Sequence, residues 1–224
     1  QTPAERILKT LQSDLQMDKI PFHIECFDNS NIQGTNPVAS CVVFKNAKPS
    51  KRDYRKFNIK TVIGPDDFAS MEEVVGRRYR RLVAEGESLP DLIIIDGGKG
   101  QLSSTVKILK ELEILDKVTV IGIAKKLEEI FFPDDPIPLY INKKSESLVL
   151  IQQARNEAHR FAITFHRDQR SKNALGTELT NINGVGVKTS EKLLKEYKSV
   201  SRIKELAEVE IADIVGNSAA KKIV

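Results

Sequence analysis

Residues 91–100 read Asp91-Leu92-Ile93-Ile94-Ile95-Asp96-Gly97-Gly98-Lys99-Gly100. An unbroken apolar run stopped by Asp and two glycines describes a central strand buried on both faces, because a strand with one solvated face alternates instead. An aspartate at the C-terminal tip of such a strand, just before a chain reversal, lies where open α/β sheets carry their chemistry. The plain alternative is that Asp96 caps the next helix. A second strand upstream, Phe22-His23-Ile24-Glu25-Cys26-Phe27-Asp28, also ends in Asp. The pair Asp28 and Asp96 is therefore the feature to follow.

Working outward, Leu102, Val106, Leu109 and Leu112 recur at helical spacing after the central strand. Residues 118–124 form another buried strand, ending at Lys125-Lys126. Residues 130–132 and 139–141 suggest a small hairpin around Pro133, Pro136 and Pro138. A long helix is expected from 145 to about 170, carrying His159 and His166. Upstream, Thr2-Pro3-Ala4-Glu5 has the residues of a capping box, and a helix follows to about Gln16 with Leu8, Leu11 and Leu15 on one face. Phe22–Asp28 alternates as a half-buried strand, and Asn29-Ser30-Asn31 with Gly34 turns the chain. Strands at 38–44 and 56–62 complete an antiparallel meander. A helix from Asp66 to about Ala84 has Phe68, Met71, Val75, Tyr79 and Leu82 as its core face.

The order β-β-β-α-β-α-β-α matches the ribonuclease-H-like pattern: a mixed α/β sheet of three antiparallel strands followed by parallel ones, with flanking helices. In that topology the first and fourth strands are neighbours, joined by right-handed crossovers. After Asn173 the texture changes to short helices with glycine turns. The expected division is 1–174, including a leading helix at 2–16, and a small all-α domain at 175–224.

The 224 residues are 40% hydrophobic and 29% charged with a net charge of +4, a composition for one large domain or one medium domain with a small appendage, which permits an anionic partner without requiring one. The sequence pI is near 8.9. Cys26 and Cys41 have no CxxC spacing, which argues against a zinc site or disulfide framework and for a reducing cytoplasm. No apolar run is long enough to span a membrane. Gln1 opens the chain with no signal peptide, and the ends suggest a fragment of something longer.

Charge is clustered. Residues 45–60 hold seven Lys/Arg against one Asp, and Arg77, Arg78, Arg80 and Arg81 surround Tyr79. Four arginines in five positions suggest phosphate contact, against a solvated face as the ordinary reading. Asp28 and Asp96 side by side would repel unless a proton or cation intervened. A hard divalent ion, Mg²⁺ or Mn²⁺, suits oxygen ligands and can activate a water against a phosphodiester. A third ligand would come from the long helix. His159 and His166 are two turns apart, roughly 10 Å by the helix rise, and spacing does not choose between them. Glu72, Glu73 and Glu157 are further candidates. Asp-Gly-Gly-Lys-Gly lacks the spacing of a nucleotide phosphate loop. Near the C-terminus, Gly184-Val185-Gly186 with a helix from about Lys188 has the form of a helix–hairpin–helix turn, whose backbone N–H groups favour an anion. A weaker copy ends at Gly216, with Ala220 paralleling Ser190.

Three stretches carry a family resemblance: Phe27–Gly34 (FDNSNIQG), Ile94–Leu102 (IIDGGKGQL) and Asn156–Ile163 (NEAHRFAI). In that order they resemble the UvrC family of excinuclease proteins, in its C-terminal half, over essentially the whole chain. The resemblance implies a ribonuclease-H-like endonuclease domain followed by a tandem helix–hairpin–helix DNA-binding domain. It implies the 5′ incision beside a lesion in bacterial nucleotide excision repair, and an Asp-Asp-His metal triad at Asp28, Asp96 and His159. The expected cofactor is Mg²⁺ or Mn²⁺. The expected partners are damaged, bubble or junction DNA and, in the full-length protein, a UvrB–DNA complex whose contact segment is not among these residues. Expected DNA contacts are Arg77, Arg78, Arg81, Lys99, Gly184, Gly186, Lys188 and Gly216. Ile214 stands where a first glycine would sit in the second hairpin, which departs from the pattern, and the chain stops within that hairpin's second helix. The competing readings are a non-catalytic nucleic-acid-binding module and a ribonuclease H acting on RNA–DNA hybrids.

Overall fold

The computed structural model describes residues 1–30, 37–64, 66–124 and 129–224, apart from the side chains of Ser30, Phe165, His166 and residues 168–177. The turn expected around Asn31 and Gly34, the pair Lys125-Lys126 and the side chain of His166 thus lie outside the described residues. By internal contacts the chain divides into two units, Gln1–Thr164 and Phe165–Val224.

In the first unit the described residues form a seven-stranded mixed sheet. Its strands are β1 His23–Ser30, β2 Val38–Lys45, β3 Lys48–Pro49, β4 Arg55–Asn58, β5 Leu92–Asp96, β6 Thr119–Ile123 and β7 Ile130–Phe131. The order is β3-β2-β1-β5-β6-β7, with β4 also pairing β2. β1 is antiparallel to β2 and parallel to β5, and β5 is parallel to β6. β1 and β5 are neighbours, as expected from the ribonuclease-H-like pattern. Position explains the unbroken apolar run of β5. Leu92, Ile93, Ile94 and Ile95 are all fully buried because the strand lies between two others and has helices over the sheet.

The helices of this unit are α1 Pro3–Asp14, α2 Asp67–Ala84, α3 Gly98–Glu111 and the first part of α4 Glu146–Thr180, a helix in which the division between units falls. Thr2 and Glu5 make the reciprocal capping box at the start of α1. The Asp66 carboxylate accepts from the N–H groups of Phe68 and Ala69 and starts α2. α2 packs on the face of β1 that carries Phe27, whose ring meets Tyr79 edge-on at 5.9 Å. Side chains alternate along a strand, so Asp28 points to the other face. There α4 crosses β2: Ser40 Oγ donates to the Ala158 carbonyl at 2.9 Å. Ala154, Ala158 and Ala162, all buried, form a stripe of small side chains at i, i+4 and i+8 that lets the helix backbone come this close.

Four expectations are corrected here. Phe22–Asp28 is not a half-buried strand: Ile24, Glu25, Cys26, Phe27 and Asp28 are all at most 2% exposed, because β1 is central and covered on both faces. The third strand ends at Asn58 instead of reaching residue 62, because Glu73 takes over the backbone. Its carboxylate accepts from the N–H of Lys60 and of Thr61 and from Thr61 Oγ1. Phe68 is 53% exposed and lies across Gly100, where a Cβ would stand 2.5 Å from its ring, and Val74 takes a core place in α2. The long helix continues past residue 170, to Thr180.

The second unit contains the end of α4 followed by α5 Val187–Tyr197, α6 Val200–Lys204, α7 Glu208–Val215 and α8 Asn217–Ile223. Its core is Leu179, Val185, Leu193, Val200, Ile203, Ile211 and Ala220. No helix among the described residues is long and apolar enough to cross a membrane.

Candidate functional site

The register brings the two strand-tip aspartates together. Asp28 and Asp96 are paired residues on adjacent parallel strands, so both point to the α4 face from strands about 4.8 Å apart. They are 2% and 5% exposed. His159, next to the seated Ala158, places Nδ1 3.2 Å from Asp28 Oδ2. This contact engages Nδ1 and not Nε2; a neutral ring whose Nδ1–H donates to a carboxylate is a form in which a histidine ligates a metal through Nε2. The histidine side chain is 55% exposed, so the site opens to solvent on that side.

The chemistry of these donors fits a hard divalent cation: two carboxylates hold oxygen ligands side by side, and an imidazole already touches one of them. Among the described residues no group of three or more His, Cys, Asp or Glu is assembled as a metal cage. The arrangement is a two-carboxylate platform with a histidine turned onto it. Burial, and then the carboxylates of Asp96 and Asp28, push the Cys26 thiol well above its usual range; Cys26 and Cys41 are both buried and free.

The turn after Asp96 uses its two glycines differently. Gly98 has φ +71°, a left-handed conformation that favours glycine. Gly97 is extended at φ 171° and is small for another reason. The Gln101 carboxamide lies on it, with atoms 2.2–2.7 Å from where a Cβ would be.

The three candidate glutamates have other partners. Glu73 caps the Lys60–Thr61 backbone, Glu72 pairs with Lys107, and Glu157 accepts from Tyr54 and Arg160. The arginine cluster does not form one outward stripe either. The Arg78 side chain is 9% exposed and makes two 2.6 Å bonds to Glu25. Tyr79 Oη donates to the same carboxylate at 2.8 Å, and the His23 ring meets it at 2.8 Å. Burial raises the Glu25 pKa, but the bonds from Arg78 and His23 more than offset this and hold it down at about 2. Arg77 donates to the Asn58 carbonyl and to Glu73, Arg80 folds over Gly76, and Arg81 pairs with Glu85. Lys99 donates to the Pro136 carbonyl at 2.9 Å above the Phe131 ring. Together with Lys45, Arg55 and Lys56 of the basic hairpin, Arg77, Arg78 and Arg81 line a groove of about 610 Å³. Its walls include His23, at the other end of β1 from Asp28.

The span holding all three triad positions is the span that matches a known family. The model of the UvrC RNAse H endonuclease domain matches residues 12–163. The chain belongs to the UvrC family. Among curated relatives, the UvrABC system protein C of Christiangramia forsetii is 67% identical over 215 residues, covering 96% of this chain and 36% of the relative. The proteins of the same name from Flavobacterium psychrophilum and Porphyromonas gingivalis are 64% and 57% identical over 218 residues, each covering 97% of this chain and 36% of the relative. The chain thus spans a little over a third of the length of these UvrC relatives. The first unit has the ribonuclease-H-like fold that the family match names.

Beyond the matched span, the second unit presents the two glycine turns. Gly184 has φ +88° and Gly216 φ +86°, so both need glycine for conformation. Gly184, Gly186, Lys188 and Gly216 are exposed. Gly186 and Gly216 each precede a helix, with Ser190 N–H donating to the Gly186 carbonyl at 3.0 Å and Ala220 N–H to the Gly216 carbonyl at 3.1 Å, but Gly186 has φ −85° where Gly216 has φ +86°. Ser190 and Ala220 are both buried. The Lys222 side chain lies on Gly184, its Nζ 2.2 Å from where a Cβ would be.

Proposed function

We propose that this chain is the part of a UvrC-family protein that makes the 5′ incision beside a lesion in bacterial nucleotide excision repair, as a metal-dependent DNA endonuclease of the cytoplasm. The observation that supports it most is the in-register pair Asp28 and Asp96 with His159 against Asp28. Asp28, Asp96 and His159 would hold Mg²⁺ or Mn²⁺, which supplies activation of a water and stabilisation of the leaving oxygen. Asp28 and Asp96 supply fixed negative charge from rigid strands, so no side-chain ordering is needed when the ion arrives. His159 comes from a different element, and with its Nδ1 on Asp28 its Nε2 would be the atom that meets the ion. The exposed side of the histidine is where a DNA strand can reach the ion.

The substrate in this reading is damaged, bubble or junction DNA, presented in the full-length protein by a UvrB–DNA complex. The second unit serves as a tandem helix–hairpin–helix domain that grips phosphates through backbone N–H groups at Gly184–Gly186, with Lys188 and Gly216 beside them. The test of the function is nicking of bubble DNA by the 224-residue chain across a Mn²⁺ or Mg²⁺ titration. Cleavage that appears with metal and vanishes with chelator is expected; a folded chain that binds bubble DNA and never nicks it would leave a binding module instead.

The hairpin reading has its own test. Gly184→Val introduces a branched side chain at φ +88° and onto Lys222, so it distorts the turn, whereas Gly186→Val meets nothing within 4 Å and only obstructs approach. In the double variant, bubble-DNA binding is expected to weaken about equally for different sequences, because phosphates carry no base information. Mn²⁺ affinity is expected to be unchanged. Wild-type DNA binding in a double variant shown to be folded by circular dichroism would remove the hairpins from the interface.

A further inference from the structure

Phe68 stands in the first turn of α2 and is 53% exposed, while Met71, Val74 and Val75 of the same helix are completely buried. A single exposed apolar side chain is ordinary on a protein surface, but the position of this one is not. Two contacts fix it. Asn29, the residue after Asp28, donates from its side-chain amide to the Asp67 carbonyl at 2.9 Å, which ties the start of α2 to the tip of β1. The Phe68 ring in turn lies on Gly100, four residues after Asp96 in the first turn of α3, so close that a Cβ there would be 2.5 Å from two ring carbons. The ring thus sits between the segments that follow the paired aspartates, at the edge of the sheet where Asp28 and Asp96 end. Glycine at position 100 lets the α3 backbone support one side of the ring, and the exposure leaves the other side open.

We propose that Phe68 is a stacking residue for DNA: an unpaired base beside the incised phosphodiester lies on its ring, which sets the strand's position relative to Asp28 and Asp96. The proposal rests on the reading of this edge as the incision site. A supported aromatic plane with one open side suits another flat ring, and stacking on a base tolerates any sequence because every base has a π face. The substrate of the proposed function supplies such rings, since bases in the unpaired segment of bubble or junction DNA are free of their partners. Bases inside a duplex are already stacked on their neighbours, so the contact favours the boundary of an unpaired segment over continuous duplex. Phe68 carries no charge and no metal-ligating atom, and its effect is therefore separable from that of the ion.

The test places 2-aminopurine at successive unpaired positions of bubble DNA and follows its fluorescence on binding to the 224-residue chain, in chelator so that no strand is cut. Wild type is expected to quench the probe at a position next to the duplex boundary. Phe68→Ala should lose that quenching and bind bubble DNA about tenfold more weakly, with duplex binding and Mn²⁺ affinity unchanged. Phe68→Tyr should keep both quenching and affinity, and Phe68→Leu should resemble Phe68→Ala, because it restores apolar bulk without a π face. Gly100→Ala leaves Phe68 in place and pushes the ring off its seat, while favouring the helix, so it should also weaken bubble binding. If Phe68→Ala does not fold by circular dichroism, Phe68→Leu and Gly100→Ala carry the comparison. Wild-type quenching and bubble affinity in folded Phe68→Ala would overturn the proposal, as would an equal loss on bubble and duplex. Full rescue by Phe68→Leu would also overturn it and point to an apolar protein contact. Failure of the incision-site reading has a separate signature, in which Asp28→Asn and Asp96→Asn bind Mn²⁺ and nick as well as wild type does.

Discussion

Asp96→Asn is expected to leave the chain folded and to abolish metal-dependent nicking of bubble DNA, by about a thousandfold or more, as when one member of a group acting as a unit is removed. The change keeps the shape of the side chain and removes a charge, so the cavity-type penalties of core substitution do not apply. It also relieves the repulsion between neighbouring carboxylates on β1 and β5. Asp28→Asn should do the same to cleavage, and it also exchanges the charge-assisted bond from His159 Nδ1 for a neutral one. His159→Ala removes the third group and should be comparably inactive. His166→Ala is expected to be mild. Circular dichroism and a single-turnover nicking assay check the set. Near-normal cleavage by any of the three would take that residue out of the site, and a greater loss from His166→Ala than from His159→Ala would reverse the choice of histidine.

The largest effect on stability is expected from Arg78→Ala. Glu25 is 0% exposed and Arg78 is its bidentate partner at 2.6 Å. Removing one member of a buried pair leaves an uncompensated charge, which costs about 3–5 kcal/mol, a large share of a typical total of about 5–15 kcal/mol. Arg78→Lys should rescue poorly, because an ammonium cannot reproduce the two parallel bonds. Tyr79→Phe, which loses one 2.8 Å bond to the same carboxylate, should cost about 1–3 kcal/mol. The pair also sets a pH dependence. The folded Glu25 pKa, about 2, is below the ordinary 4.5. Its contribution is therefore complete above pH ~4.5 and is lost as pH falls toward 2. Urea unfolding of wild type and Glu25→Gln across that window measures it. Parallel loss of stability in the two proteins would show that Glu25 is not the group responsible.

The parts legible in the sequence were those set by period and punctuation. The run 92–95 declared a doubly covered strand, Thr2 to Glu5 declared a helix start, and two strands ending in Asp made the pair at 28 and 96 visible before any topology was known. What stayed hidden depends on residues distant in sequence. Glu25 gives β1 the appearance of an alternating strand with a solvated face, and only Arg78, 53 positions away, explains how it is buried. The same pairing hides the purpose of Arg78, which in a one-dimensional count is one more arginine of a basic cluster. Residues 59–62 have strand composition, yet the Glu73 carboxylate captures the N–H groups of Lys60 and Thr61 from a helix.

In the proposed function Asp28, Asp96 and His159 are one divalent-metal site. Anomalous diffraction from crystals of this chain soaked in Mn²⁺ tests it most directly. A strong manganese peak bounded by the Asp28 and Asp96 carboxylates, with His159 facing it, is expected, and its loss in Asp96→Asn crystals. A peak that persists in Asp96→Asn, or manganese bound only elsewhere on the chain, would contradict it.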